Sequence, residues 1–120
     1  MGNVSNLSSM LMQQPWMLES LLGQTVSAQD FGKQLPFIQF GENGLLNGST
    51  GCNNFSGNFQ LEGQQLTLNP GGMTKMACAG EGEKNFLNAL MQVNTVQPLG
   101  NKLQLLGSEG ELLMQLFPKP

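Results

Sequence analysis

The two cysteines, Cys52 and Cys78, carry the most reactive side chains of this 120-residue chain. A nucleophilic thiolate needs a histidine or a neighbouring cation to stabilise its charge. The chain contains no histidine, and Lys75 is the only cation close in sequence to either cysteine. Two thiols alone cannot complete the four-ligand shell of a structural zinc ion. We therefore expect no catalytic residue, no metal site and no cofactor.

Two pairs of acidic residues have the residue type of a glycosidase site but not its arrangement. Glycosidases place two carboxylates on either side of the bond that they cleave. Glu81 with Glu83, and Glu109 with Glu111, are instead close neighbours in the chain. Each pair lies at a turn or at the start of a helix, so we interpret both pairs as solvated charge.

The charged residues limit the partners and the compartment. All five basic residues are lysines, they are scattered singly, and the net charge is −3. Nucleic-acid binding relies on clustered Arg and Lys, so no nucleic-acid partner is expected. No apolar run approaches the roughly 20 residues that span a bilayer, so we expect no transmembrane segment. A signal peptide needs positive charge ahead of its apolar stretch. Because the first basic residue is Lys33, we expect no signal peptide in this sequence.

The composition predicts one folded domain with a weakly charged surface. Charged residues make up 11% and hydrophobic residues 39%, while 12 asparagines, 13 glutamines and 16 glycines supply polarity. Pro15 ends any helix that begins in the opening segment. We expect residues 1–14 to form a flexible segment or linker, and residues 15–118 to form a single domain.

Recurring glycines divide the first two thirds of the chain into stretches that are mostly too short for a helix but long enough for strands of four to eight residues. The first strand is expected at Trp16–Leu21, with Trp16 and Leu18 on its inner face. A hairpin turn is expected at Asn43-Gly44, because both residues tolerate positive φ. A second hairpin is expected to turn at Glu62-Gly63. Pro70-Gly71-Gly72 is expected to end the second hairpin.

The last third of the chain predicts one amphipathic helix followed by strands. Glu81 to Val93 places Phe86, Leu87, Leu90 and Met91 at helical spacing. Two strands are expected after Pro98. The fold class is therefore α+β, with about seven antiparallel strands and one helix.

Each cysteine lies in a short motif. The first is Gly-Cys-Asn, a spacer, an aromatic residue and a glycine, and the second is Met-Thr-x-Met-x-Cys before a helix. The motif residues are Gly51, Cys52, Asn53, Phe55 and Gly57, and then Met73, Thr74, Met76 and Cys78. These motifs resemble those of the META/HslJ family of small bacterial heat-shock and envelope domains. The resemblance covers about residues 16–117. It implies a barrel-like antiparallel sheet with a helix, and no agreed enzymatic activity.

The resemblance also bears on the cysteines, because each of them lies in one of the two motifs. We expect a Cys52–Cys78 disulfide, on condition that the compartment is oxidising. The alternative is two buried free cysteines that act as small hydrophobic residues. For Asn53, Asn54 and Thr74 a polar site is one interpretation, and side-chain bonds to the local backbone are the favoured one.

The resemblance implies a non-enzymatic domain of the bacterial cell envelope that works by binding, in stress tolerance or export. Many family members are periplasmic or lipid-anchored, so removal of a signal is expected; without a signal the protein is cytoplasmic. A lipid or an apolar peptide is expected in a cleft, and the residues expected to line that cleft, or at least the core, are Trp16, Phe37, Phe55, Phe59, Phe86 and Met91. The alternative is a structural module without a pocket that presents a strand edge or its amide-rich loops to an envelope protein.

Overall fold

A computed structural model describes residues 3–32 and 34–120. Met1, Gly2 and Lys33 lie outside the described residues. The helices are α1 (Asn3–Met12) and α2 (Gly82–Gln92), and single-turn 3-10 helices lie at Ala28–Phe31 and Glu42–Gly44. The strands are β1 (Trp16–Leu21), β2 (Gln24–Thr25), β3 (Phe37–Phe40), β4 (Leu45–Ser49), β5 (Asn54–Glu62), β6 (Gln65–Met73), β7 (Thr95–Leu99), β8 (Lys102–Leu106) and β9 (Leu112–Pro118). No helix of the described chain is long and apolar enough to cross a membrane.

All nine strands of the described residues belong to one antiparallel sheet that closes into a ring. The sheet order is β2-β1-β3-β4-β5-β6-β7-β8-β9, and β1 pairs again with β9. The β1–β9 pairing extends from Trp16↔Pro118 to Leu21↔Met114. By contrast, β6 and β7 are joined at Gln65↔Thr95 alone among the described residues. The extended β1–β9 pairing therefore closes the ring firmly, whereas the β6–β7 junction is loose because a single residue pair joins the two strands.

The expected mostly antiparallel fold with one main helix is confirmed, with nine strands in place of about seven. One additional strand is β2, which has only two residues. The other is β7, which contains Pro98 and lies where no strand was predicted. Pro98 pairs with Leu103 of β8, and the other side of β7 pairs with β6 only at Thr95. Proline is tolerated in a strand where no neighbour needs its missing N–H, as here.

The inner faces of the strands and one face of α2 form the core. Trp16 and Leu18 are both buried on β1, as expected. Helix α2 contributes Phe86, Ala89 and Leu90, which follow the helical period. Each large apolar side chain buried in this way contributes about 1.5–3 kcal/mol to folding.

The segment before Pro15 differs from the expected flexible linker. Helix α1 occupies Asn3–Met12, and its Leu7 and Leu11 are buried in the core. The indole Nε1 of Trp16 donates a hydrogen bond to the carbonyl oxygen of Leu11 at 3.1 Å. The described part of this segment therefore packs onto the ring, because Leu7 and Leu11 lie one helical turn apart on the same face.

Both expected hairpins are present, although the second strand of the β5–β6 hairpin is longer than predicted. Asn43 and Gly44 adopt φ values of 60° and 74° before β4 begins, as the turn requires. The predicted break at Pro70-Gly71-Gly72 is wrong, because β6 continues to Met73. The pairing shifts register there, from Ser56↔Gly71 to Phe55↔Met73, so Gly72 occupies a β-bulge.

Candidate functional site

The two motifs meet at a disulfide between Cys52 and Cys78, as the resemblance implied. Their Cα atoms lie 6.1 Å apart, and 26 positions of chain separate them. Cys52 lies in the loop between β4 and β5, and Cys78 lies in the segment between β6 and α2. The disulfide therefore ties the β4–β5 loop to the approach of α2.

Asn53 is the centre of a hydrogen-bonded cluster beside this disulfide. It is only 3% exposed. Its Oδ1 accepts from the backbone N–H of Met76 at 2.6 Å and from the Thr74 hydroxyl at 2.9 Å. Its Nδ2 donates to the carbonyl oxygen of Met76 at 3.1 Å. The amide of Asn53 thus holds the second motif against the first. The expected bonding of this side chain to its local backbone is wrong, because its partners Thr74, Met76 and Glu83 lie 21 to 30 positions away.

Glu83 connects the start of α2 to the same cluster. Its Oε2 accepts from Asn53 Nδ2 at 2.7 Å and from the Thr50 hydroxyl at 2.7 Å. A carboxylate in the first turn of a helix also interacts favourably with the helix dipole. The expectation that Glu83 is solvated charge is therefore wrong, whereas Glu81 is exposed as expected.

We refer to Thr50, Cys52, Asn53, Thr74, Cys78 and Glu83 together as the motif cluster. Thr50 belongs to neither motif, and Glu83 was expected to be solvated, so neither contact was predicted. Thr50 is fully buried, and its hydroxyl oxygen accepts from the backbone N–H of Asn53 at 2.9 Å. Thr74 closes the cluster from the other side, because its hydroxyl oxygen accepts from the backbone N–H of Asn54 at 3.0 Å. The cluster thus joins β4, β5, the second motif and α2.

The motif glycines are required by close backbone approaches. Gly51 has a φ of 92°, and a Cβ there would lie 2.6 Å from the Cβ of Phe31. A Cβ on Gly57 would overlap the carbonyl oxygen of Asn69 on the paired strand. Any larger residue at either position would have to displace backbone or a buried ring.

The remaining motif residues support the core or use only their backbone. Phe55 is buried, and its ring lies 6.4 Å from that of Phe86 on α2. Met73 is paired with Phe55 across the sheet. Met76 contributes both backbone polar groups to Asn53, while its side chain is 63% exposed. Nothing in the structure explains a methionine side chain at position 76.

The six residues expected in an apolar cleft or in the core occupy different places. Trp16, Phe55 and Phe86 are buried in the core. Phe37 is half-buried under the Lys119 ammonium, 4.9 Å from the ring centroid. Phe59 packs edge-on against Phe40 at 5.0 Å and lines a surface groove of about 790 Å³. The expectation for Met91 requires correction, because its side chain is 62% exposed on α2.

Four uncharged polar side chains lie together on the outer side of the β5–β6 hairpin. Asn58 faces Asn69 across the two strands, and Gln60 faces Thr67. All four side chains are exposed, and they border a depression of about 510 Å³. We call these four residues the amide face. Side-chain amides both donate and accept hydrogen bonds, so this surface is suited to polar, uncharged contacts.

Comparisons with known proteins support the sequence resemblance. The model of the META domain family matches residues 9–119. Heat shock protein HslJ of Escherichia coli K12 is 41% identical over 64 residues, which are 53% of this chain and 43% of that protein. The match therefore spans less than half the length of this relative.

Solved structures share the fold over almost the whole chain. One NMR structure has a TM-score of 0.70 at 28% identity and covers 92% of this chain and 93% of its own. A DUF4847 family protein from Bacteroides vulgatus has a TM-score of 0.71 at 16% identity, with 92% and 96% covered. A protein from Burkholderia xenovorans, solved by NMR, has a TM-score of 0.69 at 22% identity, with 95% and 87% covered. The last two show similarity of fold alone.

Proposed function

Because the chain belongs to the META domain family, we propose that it is a non-enzymatic domain of the bacterial cell envelope that binds a partner protein through its outer surface. The motif cluster, in which the motif residues bind one another, supports the non-enzymatic part of the proposal, and the exposed amide face supports the binding of a partner. We infer a role in the stress response from the name of the Escherichia coli relative, a heat shock protein.

The bonding of the motif residues supports a non-enzymatic role. Both polar atoms of the Asn53 side chain are already engaged, with Met76, Thr74 and Glu83 as partners. The two thiols are consumed in a disulfide, so neither is available as a nucleophile. The whole chain has no histidine to act as a general base near neutral pH. These residues are therefore better suited to holding the fold than to chemistry.

The disulfide supports a location outside the cytoplasm. Disulfides persist in oxidising compartments such as the bacterial periplasm and are rare where glutathione and thioredoxin keep thiols reduced. Cys52 and Cys78 are both half-buried rather than sealed in the core, so a reductant could reach them. A stable Cys52–Cys78 bond is therefore consistent with the envelope.

The packing of the interior supports binding at the surface in preference to an internal cleft. The side chains that point into the ring, such as Leu18, Leu103 and Leu105, are fully buried against one another. The amide face is exposed. Leu45 of the neighbouring strand β4 pairs with Asn58, and 45% of Leu45 is exposed. Charged residues are depleted at the core of protein interfaces, and the four residues of the amide face carry no charge.

A second candidate is an apolar ligand at the groove beside α1. This groove has a volume of about 790 Å³, and Met12, Phe59 and Leu61 line it together with Gly41 and Asn43. Its apolar residues could hold a lipid chain or an apolar peptide. Displacement of a fluorescent fatty acid, together with native mass spectrometry of the purified protein, tests this candidate. We expect neither a displaced dye nor a bound lipid.

Site-specific photo-cross-linking tests the first candidate. A photoreactive residue replaces Asn58 on the amide face, and in a matched control it replaces Gln97, which is exposed on β7. Both proteins are exported to the envelope of a bacterial host. We expect a discrete cross-linked protein from position 58 and none from position 97. Equal cross-linking from both positions, or none from either, would contradict the proposal.

A further inference from the structure

We propose that reduction of the Cys52–Cys78 disulfide converts the motif cluster into a zinc-binding site. The protein ligands are the two thiolate sulfurs and Oε1 of Glu83, and a water molecule completes the tetrahedron. Two thiols alone were too few for a zinc shell, and Glu83 supplies the third ligand. This inference does not depend on the proposed partner binding.

The donor atoms already lie at nearly the spacing that zinc requires. The Cys52 sulfur, the Cys78 sulfur and a Glu83 oxygen all lie within 4.8 Å of one another. Cys78 Sγ and Glu83 Oε1 are 3.4 Å apart. In tetrahedral zinc, bond lengths of about 2.3 Å to sulfur and about 2.1 Å to oxygen place sulfur and oxygen ligands about 3.6 Å apart. Zinc binding requires the two sulfurs to separate to about 3.8 Å after reduction.

The carboxylate of Glu83 is oriented as a zinc ligand would be. Its Oε2 accepts hydrogen bonds from Thr50 and Asn53, so the carboxylate plane is fixed by other residues. Its Oε1 faces Cys78 Sγ, and a disulfide sulfur has no proton to donate to it. Hydrogen bonds to the distal atom of a ligand are typical of the outer shell of metal sites. One oxygen is therefore anchored, and the other is available to a metal.

Contacts that do not involve sulfur hold the two cysteine segments together after reduction. Asn53, next to Cys52, is bonded to both backbone polar groups of Met76, two residues before Cys78. Thr74 adds a bond to the same Asn53 oxygen. These bonds remain when the disulfide opens, so the two thiols stay on one side of Glu83. The carbonyl oxygen of Met76 already accepts from Asn53, which favours water as the fourth ligand.

The reaction needs a dithiol reductant. Thiol–disulfide exchange transfers two electrons and two protons to Cys52 and Cys78, and the reductant becomes a cyclic disulfide. Zinc then displaces the two thiol protons and binds the thiolates. The site is thus closed in an oxidising compartment and opens where a dithiol reductant acts.

Metal titration of the reduced protein tests this proposal. The whole chain is reduced with a dithiol, freed of reductant without air, and titrated with Co²⁺ and then with Zn²⁺. We expect one metal per chain, thiolate-to-cobalt absorption that zinc abolishes, and a higher Tm with zinc. The oxidised protein is expected to bind neither metal. Absence of stoichiometric binding by the reduced protein would overturn the proposal.

Two matched variants separate a Glu83 ligand from simple binding by two thiols. Glu83→Gln keeps an amide oxygen for Thr50 and Asn53, and we expect at least about tenfold weaker zinc binding by its reduced form. Glu81→Gln removes an exposed charge two residues away and is expected to leave Kd unchanged. Equal Kd values for Glu83→Gln and the unchanged chain would overturn the proposal. If reduction alone unfolds the chain, we expect zinc to restore the native circular dichroism spectrum. Zinc that binds while the chain stays unfolded would contradict a zinc site in the folded motif cluster.

Discussion

Asn53 and Glu83 are joined by a 2.7 Å hydrogen bond across 30 positions of the chain. Asn53 lies in the β4–β5 loop, and Glu83 lies in the first turn of α2. Because Thr50 bonds the same carboxylate oxygen, the loop and the helix are fixed by two contacts at one atom. The motif cluster therefore acts as a joint between the sheet ring and its main helix.

Removing the disulfide should lower stability without changing the fold. The double variant Cys52→Ala/Cys78→Ala loses a cross-link that spans 26 positions. We expect a loss of about 3 to 4 kcal/mol, because the unfolded chain gains conformational entropy when the cross-link is absent. Urea denaturation measures the loss, and a dithiol should destabilise the unchanged protein but not the double variant. Two free thiols in a titration of the denatured, unreduced protein would refute the bond.

Substitution of Gly57 should be far more costly than substitution of Gly72. A Cβ at Gly57 overlaps the backbone of Asn69 and Pro70, whereas a Cβ at Gly72 has no heavy atom within 4 Å. We expect Gly57→Ala to cost more than about 2 kcal/mol, and Gly72→Ala to change stability by less than about 0.5 kcal/mol. Equilibrium denaturation compares the two variants. Equal stabilities would show that the β5–β6 approach is not tight.

Two neighbouring residues of α2 should respond differently to truncation. Leu90 is fully buried, whereas Met91 is 62% exposed. Leu90→Ala removes core contacts and should cost about 2–5 kcal/mol, while Met91→Ala should change stability by less than about 0.5 kcal/mol. Thermal unfolding followed by circular dichroism checks the difference. A larger loss for Met91→Ala would mean that the helix presents another face to the ring.

The first helix should behave as part of the domain. Leu11 is fully buried, and its carbonyl oxygen accepts from the Trp16 indole. We expect Leu11→Ala to cost about 2–5 kcal/mol, because it leaves a cavity beside Trp16. Urea denaturation monitored by Trp16 fluorescence measures this cost. The control is Met12→Ala, because the Met12 side chain is 40% exposed. If both variants changed the free energy of unfolding by the same small amount, α1 would not be part of the folded domain.

Local signals in the sequence were sufficient to predict the hairpins. The Asn43-Gly44 turn follows from the tolerance of both residues for positive φ, and the first strand was placed at its observed bounds, Trp16–Leu21. Strand β7 was missed because Pro98 disfavours a strand, and its tolerance depends on the loose β6–β7 joint, which is a tertiary feature. Helix α1 was missed because its stability comes from packing of Leu7 and Leu11 rather than from its own length.

The candidate site was predictable only as far as the motifs extend. The Cys52–Cys78 pair followed from the family resemblance, whereas the contacts of Thr50 and Glu83 join residues 33 positions apart. No local pattern indicates such a contact. Met91 was placed in the core because helical periodicity defines a stripe without fixing its width. Its exposure is decided by how α2 docks on the ring.

A double-mutant cycle between Asn53→Ala and Glu83→Ala tests most directly whether the motif cluster is one structural unit. Stability is measured by urea denaturation for the unchanged protein, the two single variants and the double variant. Because the two side chains share a charge-assisted hydrogen bond, we expect a coupling energy of about 1–2 kcal/mol. Losses that add within about 0.5 kcal/mol would contradict a joint between the β4–β5 loop and α2.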